Sequence, residues 1–217
     1  MSFLVRMIQP ENWTQTKDNL EDISMISADS LSDLRTTENC ISTWLVKDCS
    51  VSEIKKAIQA LSSGFRTLDS IKIVVLDYEQ LLNAGFTIDE TEGDTKIDAY
   101  KLLHRDISHL NAGSLPKLAE MILQNIWANN IQDISKDTVG EWLLDAMIDE
   151  MLDFSKLEKN MKAALASFID KRIRKGKIEQ SKIPKSILDI ISNQVVINSR
   201  KTTCQFEPVC ERYKKAS

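Results

Sequence analysis

The sequence has little glycine and proline, and it lacks any long apolar run. Six glycines and four prolines among 217 residues are few for an all-β fold, because tight turns draw on both residue types. No stretch approaches the roughly 18 apolar residues of a membrane-spanning helix. Residues 1–8 lack the charged region, the apolar region and the cleavage site of a secretory signal peptide. We therefore expect a cytoplasmic protein built from both helices and strands.

Ligands for a metal ion are also scarce and widely spaced. The four cysteines form no Cys-x-x-Cys pair, and the two histidines lie far from them in the chain: Cys40, Cys49, Cys204 and Cys210, with His104 and His109. A structural zinc site needs about four such ligands close together. The sequence therefore predicts no metal site, and it favours reduced cysteines, as is usual in the cytoplasm.

The usual catalytic and nucleotide-binding motifs are absent as well. The chain contains neither a Gly-x-x-x-x-Gly-Lys phosphate loop nor a Gly-x-Gly-x-x-Gly dinucleotide turn. It has no Gly-x-Ser-x-Gly nucleophile motif, and neither histidine has an identifiable serine or cysteine partner. These absences predict a protein without a cofactor or a small-molecule substrate, and they favour a non-enzymatic role.

The clearest fold signal is a strand–helix–strand pattern in the first half. The pattern predicts strands at 41–46 and 71–76, joined by an amphipathic helix at 51–63. Ser50 and Glu53 have the spacing of a capping box at the start of that helix. The second strand is apolar on both faces, as expected for a strand covered on both sides. Together the three segments predict a βαβ unit with a right-handed crossover.

The periodicity of the chain changes after this unit. From about residue 99 the apolar spacing becomes helical, whereas residues 3–8 read as a first strand. We therefore predict an α/β (or α+β) fold with an N-terminal mixed sheet and a C-terminal helical region. The expected division is an α/β domain at 1–112, a helical domain at 113–199 and a polar, basic tail at 200–217.

One segment has the spacing of a protein-kinase catalytic loop. Residues 104–111 read HRDISHLN, in which the Asp would orient the acceptor hydroxyl and the Asn would hold a metal ion. No Gly-rich loop and no Val-Ala-Ile-Lys strand precede the segment. We therefore interpret it as part of a helix with an Arg–Asp pair on its surface.

A second pattern is that of a metal-dependent nuclease. Asp77 at a strand end, followed by Asp94-Thr95-Lys96, supplies two carboxylates for Mg²⁺ and a lysine that could activate water. In such an enzyme the acidic-x-Lys triplet lies on a central apolar strand, but here it follows the acidic segment Glu90-Thr91-Glu92-Gly93. A nuclease that uses Asp77, Asp94 and Lys96 is therefore the alternative to a non-enzymatic function.

The strongest positive signal is the basic run from Lys171 to Lys177, which lies in the basic part of a chain whose charge is split. Residues 1–154 carry 13 basic and 26 acidic side chains, whereas residues 155–217 carry 15 basic and 6 acidic ones. Clustered cations bind phosphates by releasing counterions, although basic residues at a helix C-terminus also complement the helix dipole. The predicted nucleic-acid contacts are Lys171, Arg172, Arg174, Lys175, Lys177, Lys182 and Lys185. A DNA-binding regulator is thus a further hypothesis.

Three stretches of the first half carry a resemblance to a known group of proteins. They are MSFLVRMIQPENW (Met1–Trp13), ISADSLSDLRTTENCISTWL (Ile26–Leu45) and GDTKIDAYKLLHRDISHL (Gly93–Leu110). Together they resemble small bacterial proteins of multigene defence loci, and in particular the accessory subunit of SMC-type (Lamassu-like) anti-phage systems.

This resemblance implies an accessory subunit of a multi-protein complex. The charge split and the missing catalytic motifs predict a non-enzymatic adaptor, whose acidic N-terminal part and basic C-terminal part contact different partners, such as an ATPase or nuclease subunit and DNA. The matching stretches include no motif with a chemical role, so the resemblance transfers no site residue. It does not extend to the basic C-terminal part, whose role it leaves open.

Overall fold

The fold was analysed in a computed structural model that describes residues 2–13, 26–34, 36–185 and 187–192. Its centre is a six-stranded sheet in the order β4-β5-β2-β1-β3-β6, in which all neighbouring strands are antiparallel. The strands are β1 (Phe3–Met7), β2 (Ile41–Val46), β3 (Ile71–Asp77), β4 (Thr87–Glu90), β5 (His104–Ser108) and β6 (Ile131–Ile134).

Helices account for most of the other regular structure. The α-helices are α1 (Ala28–Asp33), α2 (Val51–Ser63), α3 (Tyr78–Asn83), α4 (Ser114–Trp127), α5 (Lys136–Ile148) and α6 (Lys159–Arg174). Short 3-10 helices lie at Pro10–Asn12, Asp98–Leu103, Phe154–Lys156 and Gln180–Lys182. Across the residues covered by the structure, no helix combines the length and apolarity needed to cross a bilayer. The predicted α/β (or α+β) class is confirmed.

The predicted strand–helix–strand pattern is present as β2, α2 and β3, but the two strands are not neighbours. β1 lies between them, so that Leu4 pairs with Leu45 on one side and with Leu76 on the other. Because β1 is antiparallel to both, β2 and β3 run parallel to each other. The sheet was predicted to be mixed, but all its neighbouring strands are antiparallel. The reason is that the crossover through α2 passes over β1 and does not place β3 directly beside β2.

The start of α2 is capped by the predicted residues in a modified way. The Ser50 hydroxyl accepts a hydrogen bond from the amide of Glu53, as in a capping box. The Glu53 carboxylate, however, accepts from the amide of Lys47, and the Ser50 amide donates to Asp48. Both side chains therefore satisfy free amides near the helix start, although the reciprocal bond goes to a different residue.

Helices cover both faces of the sheet. One core contains side chains of α2, α5 and α6 with one set of strand residues, including Ile58, Leu143, Leu165 and Ile73. The other core contains side chains of α3 and α4 with the opposite set of strand residues. Neighbouring strand residues alternate between the two cores because successive side chains of a strand point to opposite faces.

The C-terminal part of the chain is built into this sheet. β6 pairs with β3, α4 covers one face, and α5 and α6 cover the other. The predicted division after residue 112 therefore runs through a shared core, and the independence of the two parts remains a prediction. The predicted tail at 200–217 lies outside the described residues.

Candidate nucleic-acid interface

Four lysines surround one cavity beside the end of α6. The cavity, here called the cationic pocket, has a volume of about 370 Å³. Its cationic wall comprises Lys136, Lys171, Lys175 and Lys177, and its apolar wall comprises Leu68, Ala164 and Phe168. All four lysines are exposed to solvent, so their ammonium groups are accessible to a ligand.

The sequence of α6 places its lysines on this side of the helix. Leu165 and Ile169 are buried on the core side, whereas Phe168, Lys171 and Lys175 follow at helical spacing on the pocket side. Gly176 then ends the helix with a φ of 66°, in the left-handed region that glycine adopts without strain.

Two backbone hydrogen bonds close this helix end. The amide of Gly176 donates to the carbonyl of Ile173 at 2.9 Å, and the amide of Lys177 donates to the carbonyl of Arg172 at 2.9 Å. These are the two bonds of a Schellman motif. The turn therefore returns the chain toward the pocket and adds Lys177 to its wall.

Arg172 connects α6 to α5 and so shapes the cationic pocket. Its guanidinium lies 3.1 Å from the Asp137 carboxylate and 2.7 Å from that of Glu141, and it packs over the Phe168 ring at 5.2 Å. Both carboxylates belong to the first half of α5. Arg172 thereby holds the start of α5, which carries Lys136, against the last turns of α6.

The seven predicted contacts fall into two groups. The structure brings Lys171, Arg172, Lys175 and Lys177 together at the cationic pocket, but Arg174, Lys182 and Lys185 do not line it. Arg174 pairs with Asp170 at 3.0 Å, and Lys182 pairs with Glu179 at 3.2 Å. By contrast, none of the four pocket lysines lies within ion-pair distance of a carboxylate in the part of the chain that the structure describes.

Lys136 lines the cationic pocket although it was not among the predicted contacts. This lysine stands alone among acidic and neutral residues, so no local run of charge marked it. It reaches the pocket because β6 ends beside the start of β3 and α5 begins directly after β6. The pairing of these two strands, together with the ion pairs of Arg172, brings Lys136 to the end of α6.

The three residues of the nuclease hypothesis do not form one site. Asp77 shares a cavity with Cys49, just before α2, whereas the backbone of Asp94 lies against Gly64, just after α2. The 13 residues of α2 span about 20 Å, so the two carboxylates belong to opposite ends of that helix. Lys96 lies 3.4 Å from Asp94 and thus far from Asp77. Among the described residues, no cluster of three His, Cys, Asp or Glu side chains is arranged to hold a metal ion.

The kinase-like segment is a strand and not a helix. Residues 104–108 form β5, between β4 and β2. The expected surface pair between Arg105 and Asp106 is wrong, because successive residues of a strand point to opposite faces. Arg105 instead pairs with Glu90 at 2.9 Å, and Asp106 accepts a hydrogen bond from Thr91 at 2.9 Å.

His104 is buried within a small polar network beside this strand. Its ring packs edge-on against Trp44, with a centroid distance of 5.1 Å. The Thr91 hydroxyl, which donates to Asp106, lies 2.7 Å from His104 Nδ1. Because the hydroxyl has a single proton and gives it to Asp106, Nδ1–H of His104 must donate to the hydroxyl oxygen. The neutral ring therefore carries its proton on Nδ1. Burial lowers the pKa of His104, and Arg105 lowers it further, while Asp106 opposes both effects.

We expect this histidine to make the fold sensitive to mild acid. Its pKa is lower in the folded state than the ordinary value of 6.5, so the folded protein resists protonation. The free energy of unfolding is therefore at its full value above about pH 6.5. Below that pH the unfolded chain takes up a proton more readily than the folded protein, so the free energy of unfolding falls by at most about 1.4 kcal/mol per pH unit. Urea unfolding between pH 7.5 and 5.5 measures the effect. The non-titrating variant His104→Gln should show a flatter profile, and equal slopes would contradict the assignment.

Comparisons with known proteins add no identification. No protein-family model, no curated protein and no solved structure matches the chain. The resemblance to accessory subunits of SMC-type defence systems therefore remains a prediction.

Proposed function

We propose that the protein is a non-enzymatic subunit of a larger cytoplasmic complex and that it contacts the backbone of DNA through the cationic pocket. The observation that carries this proposal is the convergence of Lys136, Lys171, Lys175 and Lys177 on one cavity without carboxylate partners among the described residues. Lysines that are not neutralised within the protein are available to replace the counterions of a phosphate backbone.

The neighbouring residues fit the same role. Ala164 and Phe168, which are half-buried, give the pocket an apolar wall against which a deoxyribose can pack. Arg174, Lys182 and Lys185 lie outside the pocket on the same basic segment, where they add to the positive potential but carry no specific contact. Since phosphates are the same in every sequence, this surface predicts binding with little preference for base sequence.

The acidic part of the chain supports the assignment to a complex. Residues 1–154 carry 13 more acidic than basic side chains, and such a surface repels DNA. DNA would therefore approach only the side that carries the cationic pocket and leave the rest of the surface to protein subunits. The resemblance to the accessory subunit of an SMC-type anti-phage system names the kind of partner, an ATPase or a nuclease.

Fluorescence anisotropy with a labelled DNA duplex tests the DNA contact. If all four lysines meet phosphates, the logarithm of the association constant should fall with the logarithm of salt concentration with a slope of about −3.6. The combined variant Lys136→Glu, Lys171→Glu and Lys175→Glu should weaken binding by more than about tenfold, because it removes three contacts and adds repulsion.

The control is Lys47→Glu, which makes the same charge change at an exposed lysine outside the pocket. Lys136→Glu alone is the sharpest variant, since only the fold assigns this residue to the site. Binding that is insensitive to salt, or that falls equally in Lys47→Glu and Lys136→Glu, would refute the DNA contact.

The role as a subunit has a separate test. Affinity purification of the tagged protein from its host, with and without nuclease treatment, should recover a stoichiometric protein partner that survives the nuclease. Recovery of nucleic acid without a stable protein partner would instead favour the DNA-binding regulator.

A further inference from the structure

A second cavity, with different chemistry, lies at the other end of the sheet. It has a volume of about 350 Å³ and is here called the amide pocket. Five carboxamide side chains line it: Gln80, Asn125, Asn129, Asn130 and Gln132. Phe3 and Val75 supply its apolar surface, and Asp77 and Cys49 complete the wall.

The Asp77 carboxylate is fixed by a hydrogen bond to one of its oxygens, and its other oxygen is free to accept a hydrogen bond from a ligand. As the N-cap of α3, it accepts a hydrogen bond from the amide of Gln80 through Oδ1 at 2.9 Å. Its Oδ2 has no hydrogen-bond or ion-pair partner among the described residues. The pocket therefore contains a fixed carboxylate oxygen that is available as an acceptor.

Among the five carboxamides, Asn125 and Asn130 form a fixed pair, whereas Gln80, Asn129 and Gln132 are uncommitted. Asn125 donates to the carbonyl of Met121 at 2.8 Å and accepts from Asn130 at 3.1 Å, so both its polar atoms are engaged. The side chains of Gln80 and Gln132 make no hydrogen bond to any residue that the structure covers. Each can therefore offer both an N–H donor and a carbonyl acceptor to a ligand.

The charges of the wall limit the class of ligand. Within the described chain no lysine or arginine lines the pocket, so it does not suit a phosphate or a carboxylate. The one ionised group is the Asp77 carboxylate. Burial, and then the negative charges of Asp48 and Asp77, raise the pKa of the Cys49 thiol, which therefore stays neutral at physiological pH. A fitting ligand is uncharged, flat enough to pack on Phe3, and rich in both donors and acceptors.

We propose that the amide pocket binds a guanine-type base, with the N–H edge of the base facing Asp77 and its carbonyl oxygen facing a carboxamide N–H. A carboxylate accepts from adjacent N–H groups, which guanine presents and adenine does not. Aromatic side chains such as Phe3 are common stacking surfaces for single bases. A free nucleoside and a single-stranded nucleic acid present the same edge of the base, and the test below distinguishes the two sources.

This inference goes beyond the proposed function and does not depend on it. The cationic pocket lies where β3 begins and β6 ends, whereas the amide pocket lies where β3 ends and β6 begins. The seven residues of β3 separate the two by about 20 Å. A ligand without phosphate therefore reports on the amide pocket alone.

The test titrates the full chain with guanosine, inosine and adenosine and follows binding by calorimetry and by NMR. We expect guanosine to bind saturably, inosine to bind more weakly because it keeps N1–H and O6 but lacks the 2-amino group, and adenosine to bind about tenfold more weakly than guanosine. Asp77→Asn should weaken guanosine binding by about tenfold, because it turns one carboxylate oxygen into a donor while asparagine still caps the helix.

The matched control is Asp153→Asn, which makes the same change at another exposed helix-capping aspartate, away from the pocket. A second arm compares a single-stranded thymidine decamer with the same decamer carrying one central guanine. Loss of guanosine binding in Asp77→Asn assigns the pocket to a free ligand, and loss of the guanine preference in the decamer alone assigns it to a base within a strand.

Two results would overturn the proposal. One is the absence of saturable binding in both arms, and the other is equal binding by the Asp77→Asn and Asp153→Asn proteins. Lys171→Glu should leave guanosine binding unchanged, so a failure of the DNA-backbone proposal is distinguishable from a failure of this one.

Discussion

A fragment that ends at residue 112 is expected not to fold. It retains the first five strands, but it loses β6, α4, α5 and α6. The strand β3 would then become an edge of the sheet, and both faces of the sheet would lose most of their cover. The expected result is a chain without a cooperative unfolding transition.

The reason lies in the burial of the lost residues. Leu118 and Ile122 of α4 are at most 1% exposed and pack on one face, while Leu143 and Leu165 are fully buried on the other. Each such side chain contributes about 1.5–3 kcal/mol by leaving water. Because folded domains are stable by only about 5–15 kcal/mol, losing these four residues is enough to unfold the fragment.

Circular dichroism and urea titration of residues 1–112 and of the full chain measure this effect. A chain that ends at residue 192 is the control, since it keeps every helix and strand that the structure describes. A cooperative transition in the 1–112 fragment would show that the predicted α/β domain is independent, and it would contradict the shared core as the source of stability.

Gly93→Ala is expected to lower the free energy of unfolding by about 3 kcal/mol, at the upper end of the usual cost of overpacking. A Cβ at this position would lie 2.9 Å from the Cβ of His104 and 3.0 Å from Trp44 Cζ3, and it would overlap Trp44 Cη2. The His104 Cβ is fixed to the backbone of β5, and the Trp44 ring is buried. Neither neighbour can move without disturbing the sheet.

A double-mutant cycle isolates this steric conflict. Trp44→Leu shortens the side chain that the new methyl group would meet, so adding Gly93→Ala to it should cost at least about 1 kcal/mol less than in the native background. Urea unfolding of the four proteins supplies the values. If the alanine costs the same in both backgrounds, the conflict with Trp44 is not the cause of the destabilisation.

Local patterns predicted the elements of the first half well. The alternation of apolar residues in β1, β2 and β3 and the helical spacing of Ile54, Ala57 and Ile58 in α2 depend on near neighbours in the chain. The basic run of α6 was also visible, because its charges are adjacent in sequence. The α/β class and three of the four lysines of the cationic pocket followed from these short-range signals.

Local patterns did not predict the strands β5 and β6. Residues 104–108 matched a known motif and were predicted to be part of a helix, but they form β5, because Ile107 pairs with Ile41 of β2 and Ile88 of β4. The short strand β6 has only four residues and too little pattern to be recognised. In both cases long-range pairing decided the conformation, and propensity did not.

By itself, the sequence determined the class of fold, the limits of β2, α2 and β3 to within a residue, and the position of the basic segment, since each depends on residues within a few positions of one another. Tertiary structure alone decided which of these residues meet. The insertion of β1 between β2 and β3 and the pairing of β6 with β3 separate Asp77 from Asp94 and bring Lys136 to Lys171. Such pairings are fixed by the burial of both faces of the sheet at once, and this condition joins residues that are far apart in the chain.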